Sequence, residues 1–600
     1  RAGTLSLVAV FVPVAFMEGI VGRFFYQFGV TVAVAVLISY GVSMTLTPMF
    51  SARVLKEHQE HGRVFKAIER VLDAVESFYR RALAWVLAHR GLTMAGAIGV
   101  LAVTVALGSL LKFTFLPQQD MSMVKVALEL PSGTTLAQTE REVDALAAQV
   151  RKVPGVRETF ATAGGGQLEE VNKGEIVVDM VAIRERRYGQ VEFKDFLRRT
   201  LQASPAATLS VQDYNPMAGG GNRAQIVQFN LRSTDHQALL AAAEKTRQAM
   251  QKVPGFVDVD STWRSGKPQL EVVPDRERAA ALGVPAALLG QNVRALMGGV
   301  KVTDYHEGGQ TYDVKVRLPP AVLADPAAVG AMPVRTPTGQ LVELRSVAAV
   351  RSAVGPSQID HQAQMRQITM LADLKDYALG DAMGYLTSFG KKELPASIQY
   401  DFEGQARELG KAGKAFLMAL LLGVVLVYII LAAQFESLVH PFTIMMALPF
   451  AVIGGIAGLL LARQYMSMMG MIGFIMLMGL VTKNGILLVE FTNQLRARGK
   501  STLEALLEAG PIRLRPILMT SVALIAGVLP VALARGAGAE MRAPMARAVI
   551  GGLITSTILT LLVVPVVYSV LDDFAIWLRR RFRHTVAAPV PAEATEEGRA

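Results

Sequence analysis

Long apolar segments limit this chain to a small set of folds. A helix that crosses a bilayer needs about 20 mainly apolar residues. The composition agrees, because 52% of the 600 residues are hydrophobic and only 18% are charged, whereas about 25% are charged in a typical soluble protein. Eight segments are apolar enough: 4–18, 28–50, 92–112, 415–433, 440–462, 468–493, 516–535 and 545–570. The sequence therefore predicts a polytopic α-helical membrane protein.

Basic residues cluster in three of the connecting regions, within 51–90, 494–515 and 579–583. Lys and Arg are enriched on the cytoplasmic side of membrane proteins. Alternation of eight helices places all three clusters on one face, which we assign to the cytoplasm. The net charge of +11 is then largely a signal of membrane orientation, and we expect no nucleic-acid partner.

Residues 113–414 fall on the other, periplasmic face and have the pattern of a soluble α/β region. VKVALEL at 124–130 alternates like a strand, a helix is predicted over 135–152, and GEIVVDMVAI at 174–183 is a further strand. The joint RKVPGV at 151–156 returns as QKVPGF at 251–256. Two copies about 100 residues apart predict duplicated split β-α-β (ferredoxin-like) modules, with 263–355 inserted in the second.

Lys483 and Asn484 interrupt the apolar stretch MLMGLVTKNGILLVEF at residues 476–491. A lysine near the centre of a spanning helix costs a few kcal/mol and normally marks an ion or proton path, with a partner of opposite charge. The alternative is a helix that ends early and leaves Lys483 at the membrane surface, but the apolar residues that follow argue against it. Arg513 and Thr520 on the next segment favour a polar relay, although a threonine can also bond its own helix. No carboxylate lies mid-membrane in these 600 residues.

Other candidate sites carry weaker signals. The chain has no cysteine, which excludes disulfides and thiolate chemistry. His58 and His61 have the spacing of a helical metal pair, but no third ligand is nearby, and a solvated linker is favoured. Glycine-rich loops at 163–174 and 215–223 lack the spacing of nucleotide-binding loops, so they are surface connections or a gate on a binding cleft. We find no catalytic constellation and expect neither an enzyme nor a cofactor.

Several sequence blocks together resemble the resistance-nodulation-division (RND) efflux permeases, in their AcrB-like multidrug branch. The blocks GLVTKNGILLVEF, RLRPILMTS and GAGAEMRAPMARAVIGGLITSTILTLLVVPVVY are similar to the last three membrane helices of that family. VFVPVAFMEGIVGRFFYQF, FLPQQD and AAQFESLVHPFTIMMALPFAVIGG resemble further family blocks. The resemblance covers nearly the whole chain.

The resemblance implies a homotrimeric antiporter of the bacterial inner membrane, driven by the proton gradient. It would pass amphiphilic compounds through a periplasmic adaptor to an outer-membrane channel. The implied proton relay is Lys483, Asn484, Arg513 and Thr520. The implied substrate pocket and switch loop contain Phe160, Gly164, Gly165, Gly166 and Gln167, and the phenylalanines usual in that loop are absent here.

The implied domain organisation combines membrane helices, two porter modules and a docking insertion. It comprises two membrane helices (1–50), a cytoplasmic linker (51–91), a membrane helix (92–112), a first porter module (113–222), a second porter module in two parts (223–262 and 356–414) around the docking insertion (263–355), five membrane helices (415–572) and a basic tail (573–600).

The chain departs from the family in one respect that bears on mechanism. Two adjacent aspartates on the family's fourth membrane helix pair with the relay lysine, and that helix would precede Arg1. We therefore expect these residues to be the carboxyl-terminal three-fifths of such a permease. Two related alternatives stay open: a heavy-metal RND pump, which the methionines at 466, 468, 469, 471, 476 and 478 suggest, and a lipid or protein-export relative.

The missing carboxylates lead to a first prediction. These 600 residues alone, reconstituted in proteoliposomes, should show no drug-coupled proton flux, because Lys483 has no acidic partner with which to exchange protons. A pH-sensitive dye inside the vesicles measures this directly. Proton flux that appears only when drug is added would contradict the prediction.

Overall fold

The computed structural model describes residues 2–16, 19–54, 63–164, 170–214, 225–264, 266–323, 325–355, 358–534, 536 and 538–583. The chain begins with four helices: α1 (Ala2–Ala15), α2 (Gly19–Val54), α3 (Arg63–Ala88) and α4 (Arg90–Leu110). Helix α3 occupies most of the predicted cytoplasmic linker. It is held to the carboxyl-terminal helices, because Tyr79 Oη donates to the Leu561 carbonyl at 2.9 Å and Arg515 pairs with Asp73 at 2.6 Å. His58 and His61 lie outside the described residues.

The first α/β module is a four-stranded antiparallel sheet with two helices. Its elements are β1 (Met123–Glu129), α5 (Leu136–Arg151), β2 (Val156–Ala163), β3 (Lys173–Met180), α6 (Gln190–Thr200) and β4 (Thr208–Asp213). Helix α5 begins at a capping box in which Gln138 N donates to Thr135 Oγ1 at 3.3 Å. The strand order β2-β3-β1-β4 is that of a split β-α-β unit, as predicted. Alternate residues of β1 and β3 face α5 and form one apolar core.

The second module starts in the same way, with β5 (Val227–Ser233), α7 (His236–Gln251) and β6 (Phe256–Ser261). The repeated Val-Pro-Gly joint has the same turn in both modules. Val156 N donates to the Val153 carbonyl at 3.2 Å, and Phe256 N donates to the Val253 carbonyl at 3.1 Å. The sequence repeat is thus a structural repeat.

An inserted module follows β6 and has its own small core. It contains β7 (Lys267–Pro274), α8 (Arg276–Ala281), α9 (Ala286–Val293), a π-helical turn (Arg294–Gly298), β8 (Val300–Glu307), β9 (Gln310–Val316), α10 (Pro320–Leu323), α11 (Pro326–Gly330), β10 (Pro333–Arg335), β11 (Leu341–Glu343), α12 (Leu344–Val347) and β12 (Ala348–Gly355). Strands β7 and β12 pair along their whole length and form its base. The β8–β9 hairpin is exposed at every residue. Its turn needs glycine, since Gly308 and Gly309 have φ of 58° and 79°.

The second module is completed by β13 (Asp360–Gln362), β14 (Met365–Leu374), α13 (Leu379–Glu393) and β15 (Gln399–Glu403). Strand β14 lies between β5 and β6, and β15 pairs with the other edge of β5. The order β6-β14-β5-β15 repeats that of the first module. The fold class predicted from the sequence, a helical membrane protein with duplicated split β-α-β modules and an insertion, is therefore confirmed.

The carboxyl-terminal membrane part contains α14 (Gly404–Phe435), α15 (Val439–Met445), α16 (Ala447–Leu461), α17 (Met468–Ala497), α18 (Thr502–Ala532), a short 3-10 turn (Ala539–Met541) and α19 (Ala543–Arg583). Seven helical spans of the described chain are long and apolar enough to cross a membrane: Phe25–Val54, Arg90–Leu110, Gly404–Phe435, Val439–Leu461, Met468–Ala497, Thr502–Ala532 and Ala543–Phe574. The first of the eight predicted segments forms only a shorter apolar helix, Thr4–Ala15.

Glycines allow α16 and α19 to approach closely. A Cβ atom on Gly454 would overlap the Gly551 carbonyl oxygen and the Thr555 hydroxyl, and one on Gly551 would overlap the Gly454 carbonyl. Gly458 lies at the same crossing, one turn after Gly454. Small residues at such spacing let helix backbones touch in membranes.

This crossing supplies a second prediction. Gly454→Ala should destabilise the helix bundle by about 1–3 kcal/mol, because the added methyl group forces the two backbones apart. Thermal unfolding in detergent measures the change. Gly527→Ala on α18 is the matched control, since no atom lies within 4 Å of its Cβ position, and it should leave the melting temperature unchanged or slightly higher. Equal melting of both variants would contradict the prediction.

Candidate functional site

Lys483 lies in the middle of an unbroken helix. The Ser467 hydroxyl caps the start of α17 by accepting from Gly470 N at 3.3 Å. The helix then continues to Ala497, so Lys483 lies 15 residues after its first residue and 14 before its last. At 1.5 Å per residue, the ammonium-bearing residue is about 20 Å from either end. The alternative in which the helix stops near Lys483 is therefore excluded.

The Lys483 side chain is on a face of α17 that the described part of the chain leaves uncovered. Thr482, Asn484 and Gly485 around it are buried, whereas Lys483 is exposed. Glu490 is also exposed and lies seven residues further on, hence two turns along the same face. No ion pair joins Lys483 to a described residue.

The other three predicted relay residues make contacts of their own. Asn484 is buried, with 4% of its surface exposed. The Thr520 hydroxyl donates to the Ile517 carbonyl of its own helix at 3.0 Å. The Arg513 guanidinium lies 4.5 Å from the ring centre of Phe491, and its Nε is buried without a hydrogen-bond partner among the described residues. In this arrangement no described hydrogen bond joins the four residues to one another.

Phe160 belongs to strand β2, at the edge of the first module, and Gly164 directly follows the last residue of that strand. The Phe160 ring is 72% exposed, which is unusual for a phenylalanine in a packed sheet. Gly164 has a φ of 69°, and its N–H donates to the Lys173 carbonyl at 2.8 Å. Gly165, Gly166 and Gln167 lie outside the described residues. The edge strand therefore presents an aromatic ring to the surface, beside the start of the predicted switch loop.

Asp120, in the FLPQQD block, is a buried acid whose partners the sequence did not indicate. It pairs with Arg186, and it accepts from Gln190 N at 2.9 Å and from Ser122 N at 3.0 Å. Burial would raise the pKa of this carboxyl, but the bonds from Arg186 and the two backbone groups lower it below its usual value. The ionised Asp120 therefore fixes the start of β1 to the start of α6.

A row of charged residues joins the two α/β modules. From the first module, helix α6 and strand β4 contribute Lys194, Asp195, Arg198 and Asp213. Arg198 pairs with Asp258 of β6 at 3.0 Å, Asp195 pairs with Lys375 at 2.6 Å, and Lys194 pairs with Asp213 at 2.8 Å. The two modules are thus held to each other by salt bridges across their contact.

Asp373 of β14 lies behind this row, and no ion pair joins it to a cation among the described residues. It is 7% exposed, and its Oδ1 accepts from Ile226 N at 3.2 Å. Burial, followed by repulsion from Asp258, raises the pKa of Asp373 to about 7, although the Ile226 bond and Lys194 act in the opposite direction. The sequence did not indicate this residue, because its neighbours come from segments more than 100 residues away in the chain.

The described residues thus form a polytopic membrane protein with a two-module α/β region. Its features are seven apolar spans, Lys483 in the middle of one of them, and duplicated split β-α-β modules. The chain matches the AcrB/AcrD/AcrF family over residues 2–572. It belongs to this family of RND permeases, as the sequence blocks indicated.

A solved structure of the same fold comes from a heavy metal efflux pump determined by X-ray crystallography. The two structures superpose with a TM-score of 0.82 at 24% sequence identity. The alignment covers 95% of this chain and 57% of the pump, so this chain spans just over half of that protein's length. At this identity the likeness shows the fold alone.

The buried acid yields a third prediction, which concerns pH. In the unfolded chain Asp373 ionises near its ordinary pKa of 3.8, whereas in the folded chain its pKa is about 7. The folded state therefore binds the proton more tightly, and stability should fall by a few kcal/mol as the pH rises from about 4 to about 7. Asp373→Asn removes this penalty and should raise the melting temperature more at pH 8 than at pH 5.

Asp376→Asn is the control for this measurement. Asp376 is exposed, three residues further along the chain, and asparagine tolerates its positive φ of 50°. Thermal unfolding followed by tryptophan fluorescence reports on the second module through Trp263. A gain for D373N that is the same at both pH values would refute the assignment of a raised pKa to this carboxyl.

Proposed function

We propose that this chain is part of an inner-membrane permease that drives the efflux of small amphiphilic compounds with the proton gradient. The observation that supports the proposal most is Lys483, a cation about 20 Å inside an apolar helix and on an uncovered face. Ionisable groups at that depth normally pair with each other and mark proton paths. Family membership adds that the fold is that of RND permeases.

The proton relay we propose combines four residues. Lys483 would pair with carboxylates from a neighbouring helix when these are ionised and would be released when they are protonated. Asn484 is buried beside Lys483 and would keep α17 in place while the carboxylates gain and lose protons. Arg513 and Thr520 lie on the adjacent helix, from which they would bond to Lys483 or to its carboxylates. The Arg513 Nε has no hydrogen-bond partner among the described residues. An unpaired buried donor is costly unless a second state gives it a partner.

For the α/β region we propose substrate binding and assembly. Phe160 offers an exposed aromatic surface for an amphiphilic compound, and Gly164, Gly165, Gly166 and Gln167 would form a switch loop beside it. The inserted module carries the exposed β8–β9 hairpin, whose position suits contact with an outer-membrane channel or a second protomer. The proposed partners are two further copies of the chain, a periplasmic adaptor and that channel.

Heavy-metal efflux is the second candidate. It is favoured by the solved heavy metal efflux pump of the same fold and by methionine thioethers, which suit Cu(I). However, four of the six clustered methionines, at positions 466, 468, 471 and 478, are buried in the apolar helix core. Packing accounts for their presence, and we therefore favour amphiphilic compounds.

A fourth prediction tests the relay. Lys483→Met, expressed from the natural gene in cells without other efflux pumps, should abolish proton-driven dye efflux from everted membrane vesicles, because no cation remains to respond to carboxylate protonation. Lys414→Met removes an exposed lysine near the start of α14 and should retain efflux. Both variants should reach the membrane in equal amounts, as shown by immunoblotting.

The substrate class is decided with the same vesicles. Efflux of cationic dyes and detergents that K483M abolishes would support the proposal. Transport of Cu(I) or Ag(I) without any dye efflux would replace it with the metal candidate. Dye efflux that persists at the normal rate in K483M would refute the role of Lys483.

A further inference from the structure

A polar cavity lies at the end of the membrane helices that adjoins the basic connections. Its volume is about 220 Å³, and its polar lining consists of Ser437, His440, Thr443, Arg496, Tyr568 and Asp572. These residues come from α15 and the turn before it, from the end of α17 and from α19. The cavity therefore lies between three membrane helices, where they meet the basic connection 494–515.

An ion pair with fixed geometry forms one wall of the cavity. Arg496 Nη1 donates to Asp572 Oδ1 at 2.8 Å and to Tyr568 Oη at 3.1 Å. The Thr502 hydroxyl donates to Asp572 Oδ2 at 2.8 Å. Arginine has five N–H donors and a carboxylate has about four acceptor positions, so both groups keep bonding capacity for a ligand. The wall thus offers a cation and an anion side by side, already oriented.

His440 lines the same cavity beside Tyr568. Its ring stacks on Tyr568, with the centroids 5.4 Å apart and the planes 6° apart. Its Nδ1 is buried and has no hydrogen-bond partner among the described residues. Buried polar atoms of native proteins almost always have a partner, and a bound water, ion or ligand is one explanation for an exception. His440 therefore points to an occupant with hydrogen-bonding groups.

The size and position of the cavity limit what this occupant is. Sites for drug-sized ligands measure roughly 300–1,000 Å³, so this cavity is too small for the proposed cargo. Pockets with basic side chains between membrane helices on the cytoplasmic side bind anionic lipid headgroups, but this cavity also contains the carboxylate of Asp572. A simple anion would face Asp572 as well as Arg496, whereas a group that carries both charges matches both residues.

We propose that this cavity binds the headgroup of a zwitterionic phospholipid with a primary ammonium, from the cytoplasmic leaflet. The phosphate accepts hydrogen bonds from the free donors of Arg496 and from His440, and the ammonium donates to Asp572. The acyl chains extend along the apolar faces of the neighbouring helices. A bound lipid would hold α15 against α17 and α19.

Lipid binding can be measured by native mass spectrometry of the 600-residue chain in detergent, with phosphatidylethanolamine, phosphatidylglycerol and phosphatidylcholine of the same acyl chains. We expect one phosphatidylethanolamine per chain, retained more strongly than the other two lipids. Arg496→Gln should weaken its binding at least about tenfold, the effect of a lost hydrogen bond to a charged group. Arg498→Gln removes an exposed arginine two residues away and should bind as the unmodified chain does.

His440→Phe keeps a ring for stacking on Tyr568 but has no Nδ1, so it tests the site without breaking the ion pair. It should weaken phosphatidylethanolamine binding while leaving the melting temperature of the lipid-free chain unchanged. Equal binding of the three lipids, or equal losses in R496Q and R498Q, would overturn the proposal. Displacement of the lipid by millimolar inorganic phosphate would assign the cavity to free phosphate and would also overturn it.

Discussion

Backbone hydrogen bonding in a medium without water is the constraint on which this structure depends. An unpaired peptide group in hydrocarbon costs several kcal/mol, so a chain crosses the membrane in continuous helices. Helix α17 obeys this rule on both sides of Lys483, and the charged side chain must therefore be accommodated in mid-helix. The other helices pack around α17 so that most of its surface is buried, while the face with Lys483 and Glu490 remains uncovered.

The α/β region meets the opposite condition, because water is available and charges can be paired. Arg198 with Asp258 and Asp195 with Lys375 join the two modules through ordinary ion pairs. Asp373 differs from these residues, since it is buried, no described cation forms an ion pair with it, and the pKa of its carboxyl is raised to about 7. Lys483 in the membrane part and Asp373 in the α/β region are thus both ionisable groups for which the described residues provide no ion pair. Ionisable groups in such unusual environments are concentrated at functional sites. Lys483 is the one for which we propose a role in proton-driven transport.

Much of the fold follows from local patterns in the sequence. Alternating apolar residues predict β1 and β3, and the repeated Val-Pro-Gly joint predicts that the second module copies the first, because the same turn residues impose the same chain reversal. The unusual position of Lys483 could also be predicted from the sequence, because a charged residue within an apolar segment is a local pattern. The first apolar segment, by contrast, forms a helix shorter than the membrane requires, and apolarity over 4–18 did not indicate where the helix ends. Whether Phe160, Asn484, Arg513 and Thr520 act with Lys483 and the glycine loop in transport stays a prediction.

The sequence by itself determined the duplicated α/β modules and the presence of a lysine within an apolar segment, since each depends on residues close together in the chain. Only the tertiary structure decided which charges meet. The partners of Asp120, Asp373 and Arg496 lie 66, 147 and 76 positions away in the chain. The cavity beside His440 exists only where α15, α17 and α19 come together. Such contacts arise from packing between distant segments, and no local pattern of residues specifies them.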